Sequence, residues 1–66
     1  MVQARAEATR RRIVDAAVTL FSEHGYSDTG LAAVMDRAEV SKGAFYYHFE
    51  SKEALASAII AEGIAQ

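Results

Sequence analysis

Apolar residues recur at intervals of three and four along most of the chain, which is the spacing of an α-helix buried on one side. The first such stretch predicts a helix over residues 6–23, and Gly25 lies where a left-handed residue would end it. The predicted inward stripe of this helix comprises Ile13, Ala16, Ala17, Leu20, Phe21 and His24, widened by Val14 and Val18.

A second, shorter helix is predicted over residues 31–37. Its N-cap is either Thr29 or Gly30, and the sequence alone leaves both open, although glycine is the weaker cap. The inward side of this helix is expected to consist of Leu31, Val34, Met35 and Ala38.

Two serines mark the beginnings of two further helices. Ser41 is a good N-cap for a helix over residues 42–48, and Ser51 is a good N-cap for a helix that begins at Lys52. In the third helix, Phe45 and Phe49 lie four residues apart and point to the core. The stripe of the fourth helix comprises Leu55, Ala58 and Ile59, broadened by Ile60 and Ile64.

Composition supports an all-α fold. Proline is absent, alanine occupies 14 positions, and long alternating runs of β-branched residues are missing. A chain of 66 residues makes at most one small domain, which buries only about 60% of the surface that its unfolded form exposes. Without cysteine, neither a disulfide nor a thiolate metal site can staple this fold.

Several classes of protein are excluded by what the chain lacks. No apolar run approaches the length of a transmembrane helix, and the first residues are not those of a signal peptide, so we predict a cytoplasmic protein without membrane contact. The usual motifs for nucleophiles, zinc hydrolysis and nucleotide binding are missing, and His24 and His48 lack carboxylate partners at metal-binding spacing. We therefore expect neither catalysis nor a cofactor.

The predicted second and third helices have the proportions of a helix-turn-helix, spanning about residues 30–49. The side chains of the third helix make this interpretation more specific, because Lys42, Tyr46, Tyr47 and His48 crowd donors and flat rings into seven residues. Gly43 costs about 1 kcal/mol of helix propensity relative to alanine. Close approach of the helix to a phosphate backbone would be one reason to keep it.

The residues Val40-Ser-Lys-Gly-Ala-Phe-Tyr-Tyr-His-Phe49, followed by Ser51-Lys-Glu-Ala-Leu55 and preceded by Gly25-Tyr26 and Thr29, resemble the N-terminal DNA-binding domain of TetR-family transcriptional regulators. The resemblance extends over about residues 10–60. It implies an all-α three-helix DNA-binding domain with a helix-turn-helix, plus the start of a fourth helix. It also implies that residues 1–66 form this domain, and that a C-terminal ligand-binding and dimerisation domain is absent from this chain. The opening residues 3–17 are similar to the γ-butyrolactone-receptor branch.

The same resemblance implies which residues touch DNA. The matching positions are Ser41, Lys42, Gly43, Tyr46, Tyr47, His48 and Lys52. Tyr46 is expected to reach a base edge or a thymine methyl group, whereas Tyr47 and His48 are expected to position phosphates. The arginines at positions 10–12 are candidates for an additional contact at the flank of the site.

Three positions depart from the family pattern. Gly30 replaces the usual Ser or Thr cap, and Ala32 replaces a polar or basic residue that often lies near DNA. Glu39 replaces a turn glycine, which predicts a turn that is strained or differently shaped. These changes reduce the expected phosphate contacts of the second helix and leave the third helix unchanged.

The net charge of −2 is the best objection to nucleic-acid binding, because DNA-binding domains are usually basic. The charge is unevenly distributed: residues 1–12 carry four arginines and one glutamate, or +3, and residues 41–52 carry two lysines and one glutamate, or +1. The local sign near the predicted reading helix is therefore positive.

We expect a sequence-specific, double-stranded DNA-binding module of a ligand-released repressor, acting as a homodimer on a palindromic operator, with its small-molecule effector bound outside this chain. The alternative is a helical protein–protein interaction module that uses the aromatic face of the third helix. DNA binding would weaken steeply with salt, whereas the burial of aromatic rings in a protein interface would not.

Overall fold

The computed structural model describes residues 4–63, and within that range the chain forms four helices and no strand. They are α1 (Ala4–His24), α2 (Leu31–Ala38), α3 (Lys42–His48) and α4 (Lys52–Ala61). The all-α fold predicted from the sequence is confirmed. Helix α1 begins two residues earlier than predicted and ends one residue later, and α2 extends one residue further.

Helix α1 ends as the sequence predicts, but its inward stripe is shorter. Gly25 takes a left-handed conformation with φ 89°, and its N–H donates to the carbonyl of Phe21 at 2.8 Å. His24, predicted to continue the stripe, is instead exposed, so the buried part of the stripe ends at Leu20 with Phe21 half-buried. A histidine there still suits the negative end of the helix dipole.

The two candidate N-caps of α2 have different roles. Gly30 is the cap, with φ −94° and ψ 160°, and it supplies no side-chain hydrogen bond. Thr29 is almost fully buried, and its hydroxyl lies 3.2 Å from the carbonyl of Leu20 and 2.8 Å from that of Gly25. Thr29 therefore fastens the loop to the end of α1 instead of capping α2.

Both serine caps predicted from the sequence are confirmed. The hydroxyl oxygen of Ser41 accepts a hydrogen bond from the N–H of Ala44 at 3.0 Å, and that of Ser51 accepts one from Ala54 at 3.0 Å. Each bond satisfies a backbone donor that the first turn of a helix leaves without a partner. Local sequence therefore fixes where α3 and α4 begin.

The core is built around α1, which packs against each of the other three helices. All four helices contribute buried apolar side chains: Ile13, Val14, Ala16, Ala17, Leu20, Val34, Ala38, Phe45, Phe49, Leu55 and Ile59. Ile60 was expected to broaden the stripe of α4 but is 79% exposed, and Ile64 lies outside the described residues. Among residues 4–63, no helix is long and apolar enough to cross a membrane.

Candidate nucleic-acid interface

The turn between α2 and α3 follows a Schellman pattern with a glutamate at the left-handed position. The N–H of Glu39 donates to the carbonyl of Asp36, and the N–H of Val40 donates to that of Met35, both at 3.1 Å. Glu39 has φ 59° and ψ 47°, a conformation that glycine adopts without steric cost. The strain predicted from the missing glycine is therefore present, while the turn keeps the shape that a glycine would give it.

Helix α3 separates its aromatic residues between two sides. Phe45 and Phe49 are buried, as predicted, with their ring centroids 6.0 Å apart. Tyr46 is 43% exposed and Tyr47 is 76% exposed. The ring of Tyr46 meets that of Phe45 edge-on at 5.2 Å, so the buried phenylalanine supports the outward tyrosine.

The outward side of α3 consists of two short rows of residues. Lys42 and Tyr46 are four residues apart and lie one above the other, as do Gly43 and Tyr47. Because position 43 has no side chain, the second row presents bare backbone below the ring of Tyr47. His48 is half-buried, with its ring 4.9 Å from that of Tyr47 in an edge-on arrangement.

Nothing within the described part of the molecule requires glycine at position 43. Its φ is not positive, and a Cβ atom added there would have only the hydroxyl oxygen of Ser41 nearby, at 4.0 Å. An alanine would therefore fit and would favour the helix. Neither backbone conformation nor packing within residues 4–63 accounts for this glycine.

Ser41 and Lys52 combine structural contacts with their predicted roles. Because the Ser41 oxygen already accepts the capping hydrogen bond, its hydroxyl hydrogen is what it can offer to a phosphate. The ammonium group of Lys52 lies over the ring of Tyr26, 4.2 Å from the centroid, and that ring packs against Phe21 at 5.2 Å. Lys52, at the start of α4, is thus held at the loop between α1 and α2.

Two of the three arginines at positions 10–12 make contacts with distant parts of the chain. Arg10 forms an ion pair with Glu62, and its guanidinium lies 5.1 Å from the ring centroid of Phe49. The hydrogen bond from Arg10 to Glu62 raises the pKa of Arg10 and lowers the pKa of Glu62. Arg12 donates to the carbonyls of Ala38 and Glu39. Arg11 is exposed.

Six of the seven predicted site residues thus lie on α3 or its cap, and the seventh, Lys52, is the first residue of α4. Sequence reasoning missed Tyr26, which holds Lys52, and it missed the contact of Arg12 with the turn. No local signal could have revealed either, because each contact joins residues 26 positions apart in the chain. Among residues 4–63, no cluster of three or more metal-binding side chains occurs.

The fold and the exposed side of α3 define a helix-turn-helix domain of the class that binds DNA. Residues 13–59 match the family described as "Bacterial regulatory proteins, tetR family", and the chain belongs to this family of DNA-binding transcriptional regulators. No solved structure matches the chain significantly.

Among the similar proteins are regulators from several bacteria. The chain is 52% identical over 60 residues to the A-factor receptor protein of Streptomyces griseus, covering 91% of this chain and 22% of that protein. It is 44% identical over 59 residues to the HTH-type transcriptional regulator UidR of Escherichia coli strain K12, which covers 89% of this chain and 30% of UidR. It is 42% identical over 53 residues to the probable acrEF/envCD operon repressor of the same strain, which covers 80% of this chain and 24% of the repressor.

The chain therefore spans less than a third of the length of these relatives. One of them is named as a transcriptional regulator and another as a probable operon repressor, and membership of the family of regulatory proteins points to a role other than catalysis.

Proposed function

We propose that this chain is the sequence-specific reading head of a TetR-family repressor and that α3 enters the major groove of double-stranded DNA. The observation that carries the proposal is the outward side of α3. Exposed tyrosine rings, a lysine and bare backbone at Gly43 lie together there, although burial of the rings and alanine at position 43 would each stabilise the fold more. The major groove is about 12 Å wide and admits an α-helix.

Each residue of this surface has a distinct expected role. Tyr46 contacts a base edge or a thymine methyl group, while Lys42 and Tyr47 hold the backbone phosphates on either side. Gly43 lets the backbone of α3 approach the DNA closely. Ser41 donates its hydroxyl hydrogen to a phosphate, and His48, beside Tyr47, supplies a further donor.

Lys52 binds a phosphate from a different element, the start of α4. Its ammonium group is already held over the ring of Tyr26, and this contact restricts where the charge can lie before DNA arrives. Less side-chain entropy is then lost when the phosphate contact forms.

The length of α3 supports dimeric binding. A helix of seven residues is about 10 Å long and can read only a few base pairs. Useful specificity therefore requires two copies on half-sites about 34–36 Å apart, which makes the operator palindromic. The dimer is expected to form through a C-terminal domain outside this chain.

The regulator as a whole is proposed to be a cytoplasmic repressor that a small-molecule effector releases from DNA. The relatives support this because one is named as an operon repressor and another as a receptor for A-factor. The 52% identity to a receptor protein also supports the predicted placement in the γ-butyrolactone-receptor branch. The effector would bind outside residues 1–66.

The test begins with selection of a duplex from a random-sequence library, followed by fluorescence anisotropy titrations with that duplex. Lys42→Ala should lower the salt slope of log affinity by about 0.9, because one phosphate contact is lost. Tyr46→Ala should weaken binding about tenfold or more and relax base preference at one position of each half-site. The exposed residue Ser57 on α4 provides a control, since Ser57→Ala should leave the salt slope, the affinity and the base preference unchanged.

Two results would contradict the proposal. One is unchanged affinity in both α3 variants. The other is an affinity that stays constant between about 50 and 200 mM salt, which would favour the protein-interaction module instead.

A further inference from the structure

The guanidinium of Arg12 connects α1 by hydrogen bonds to the turn of the helix-turn-helix. Its Nε donates to the carbonyl of Ala38 at 3.1 Å, and its Nη2 donates to the same carbonyl at 2.6 Å and to that of Glu39 at 3.0 Å. Arg12 lies on α1, 26 residues before Ala38 in the chain.

These two carbonyls occupy a special place in the fold. The last carbonyls of a helix have no partner within the helix and carry the negative end of its dipole. The backbone bonds of the turn use the carbonyls of Met35 and Asp36 as acceptors, and Arg12 supplies donors to those of Ala38, the last residue of α2, and Glu39, the residue after it. A planar, permanently charged fork suits two adjacent carbonyls better than any other side chain.

The residue held in this way is the strained one. Glu39 is the non-glycine residue with positive φ in the described part of the chain, and left-handed backbone is disfavoured for a residue with a Cβ atom. Its carbonyl oxygen is fixed by Arg12, so the hydrogen bond opposes rotation out of this conformation. Arg12 thereby offsets the glycine that the turn lacks.

The turn matters because it determines how α3 is presented. Both α2 and α3 pack mainly against α1, and only residues 39–41 connect them. A change in the backbone angles of Glu39 would swing the start of α3 relative to α2. The two rows that contain Tyr46 and Tyr47 would move with it.

We propose that Arg12 is a positioning residue for DNA reading, which acts by holding Glu39 in the left-handed conformation and touches no phosphate itself. The part that concerns DNA rests on the proposed function. The part that concerns the turn can be measured without DNA, so the two can fail separately.

The first experiment follows the amide proton of Val40, which donates to the carbonyl of Met35 within the turn. Arg12→Ala should accelerate its hydrogen exchange about tenfold, because the turn opens more often. Arg12→Lys should give an intermediate rate, since an ammonium group keeps the charge but not the planar fork. The adjacent exposed residue supplies the matched control, and Arg11→Ala should leave the rate unchanged.

The second experiment asks whether Arg12 acts through Glu39. In a Glu39→Gly background the left-handed conformation carries no steric cost, so Arg12→Ala should accelerate Val40 exchange by clearly less than it does beside Glu39. An equal effect in both backgrounds would show that Arg12 does not act on this residue and would overturn the inference.

The third experiment uses the selected duplex. Arg12→Ala should reduce affinity about tenfold with the salt slope unchanged, whereas Lys42→Ala reduces the slope by about 0.9. A slope that falls equally in both variants would make Arg12 a phosphate contact and overturn the inference, as would unchanged Val40 exchange. If the full-length dimeric regulator selects no duplex, the proposed function fails, and the exchange measurements alone decide whether Arg12 holds the turn.

Discussion

On α3, neighbouring aromatic residues differ by a single hydroxyl group and lie in opposite environments. Phe45 is fully buried, while Tyr47, two positions later, is 76% exposed. An exposed ring forgoes the roughly 2 kcal/mol that burial of a large apolar side chain would contribute. A tyrosine tolerates this position because its hydroxyl remains hydrated and can later donate or accept a hydrogen bond. The two tyrosines are therefore suited to a partner that is itself polar, such as a groove edged with phosphates.

Gly43 allows stability and binding to be separated at one residue. Gly43→Ala should raise the free energy of unfolding by about 0.5 kcal/mol, because alanine favours the helix and the space around position 43 is open. For a domain of this size the melting temperature should rise by about 2–4 °C. The same methyl group should weaken binding to the selected duplex, since it stands between the backbone of α3 and the DNA.

Thermal unfolding and anisotropy titrations of the same samples test this opposition. Ser57→Ala on the exposed side of α4 is the matched control, expected to stabilise the chain without affecting DNA affinity. If Gly43→Ala binds the duplex as tightly as the wild type, the proposal that the backbone of α3 approaches the DNA closely at position 43 is wrong.

At the scale of elements, α2 lacks the side-chain hydrogen bond that caps the N-terminus of each helix that follows it. The N-caps of α3 and α4 are serines that accept a backbone hydrogen bond, whereas the N-cap of α2 is Gly30, which has no side chain to do so. Its other end carries the strained Glu39. The stability of α2 therefore depends on tertiary contacts, namely the buried side chains of Val34 and Ala38 and the hydrogen bonds from Arg12.

A better N-cap should stabilise this helix measurably. Gly30 has an extended backbone with φ −94° and no neighbouring atom within 4 Å of an added Cβ, so serine fits there. Gly30→Ser should raise the free energy of unfolding by about 0.5–1 kcal/mol, through a hydrogen bond to the N–H of Ala33 and lower entropy of the unfolded chain. Urea denaturation should show a higher midpoint with an unchanged slope.

Gly30→Ala provides the comparison that isolates the cap. Alanine gives the same reduction in unfolded-chain entropy but offers no acceptor for the orphan N–H groups. Equal midpoints for the serine and alanine variants would mean that no capping bond forms.

How much the sequence could predict depended on the range of the interaction concerned. The beginnings of α3 and α4 follow from Ser41 and Ser51, because a cap bonds to backbone only three residues away. The choice between Thr29 and Gly30 could not be made in the same way, since it depends on the carbonyl of Leu20 in another helix. The inward phenylalanines of α3 were predictable from their spacing, whereas the position of Lys52 over Tyr26 required the folded chain.

In the molecule as a whole, α1 packs against each of the other three helices, and different contacts hold its two halves to the rest of the chain. Near its C-terminus, the buried hydroxyl of Thr29 fastens the following loop to it. Near its N-terminus, Arg10 reaches Glu62, 52 residues later, and also covers the ring of Phe49. The contacts of Arg10 therefore join α1 to the C-cap of α4, Glu62, and to the C-cap of α3, the core residue Phe49.

The ion pair between Arg10 and Glu62 should make stability depend on pH in the acid range. Because the hydrogen bond from Arg10 lowers the pKa of Glu62 in the folded chain, the unfolded chain binds more protons as the pH falls. The stabilisation by the pair is thus complete above the unfolded glutamate pKa of about 4.3 and is lost as the pH falls through the lower folded value. Both side chains are more than a third exposed, so the effect is small and screened by salt.

Urea midpoints of the wild type and Glu62→Gln, measured from about pH 6 down to about pH 2.5, test this dependence. The wild type should be the more stable at the upper end, and the difference should shrink toward zero at the lower end. Asp28→Asn in the exposed loop after α1 controls for the loss of an acid that makes no ion pair within residues 4–63. A difference between wild type and Glu62→Gln that stays constant across this range would mean that Glu62 acts through packing instead of charge. A difference that disappears at about 0.5 M salt would confirm its electrostatic origin.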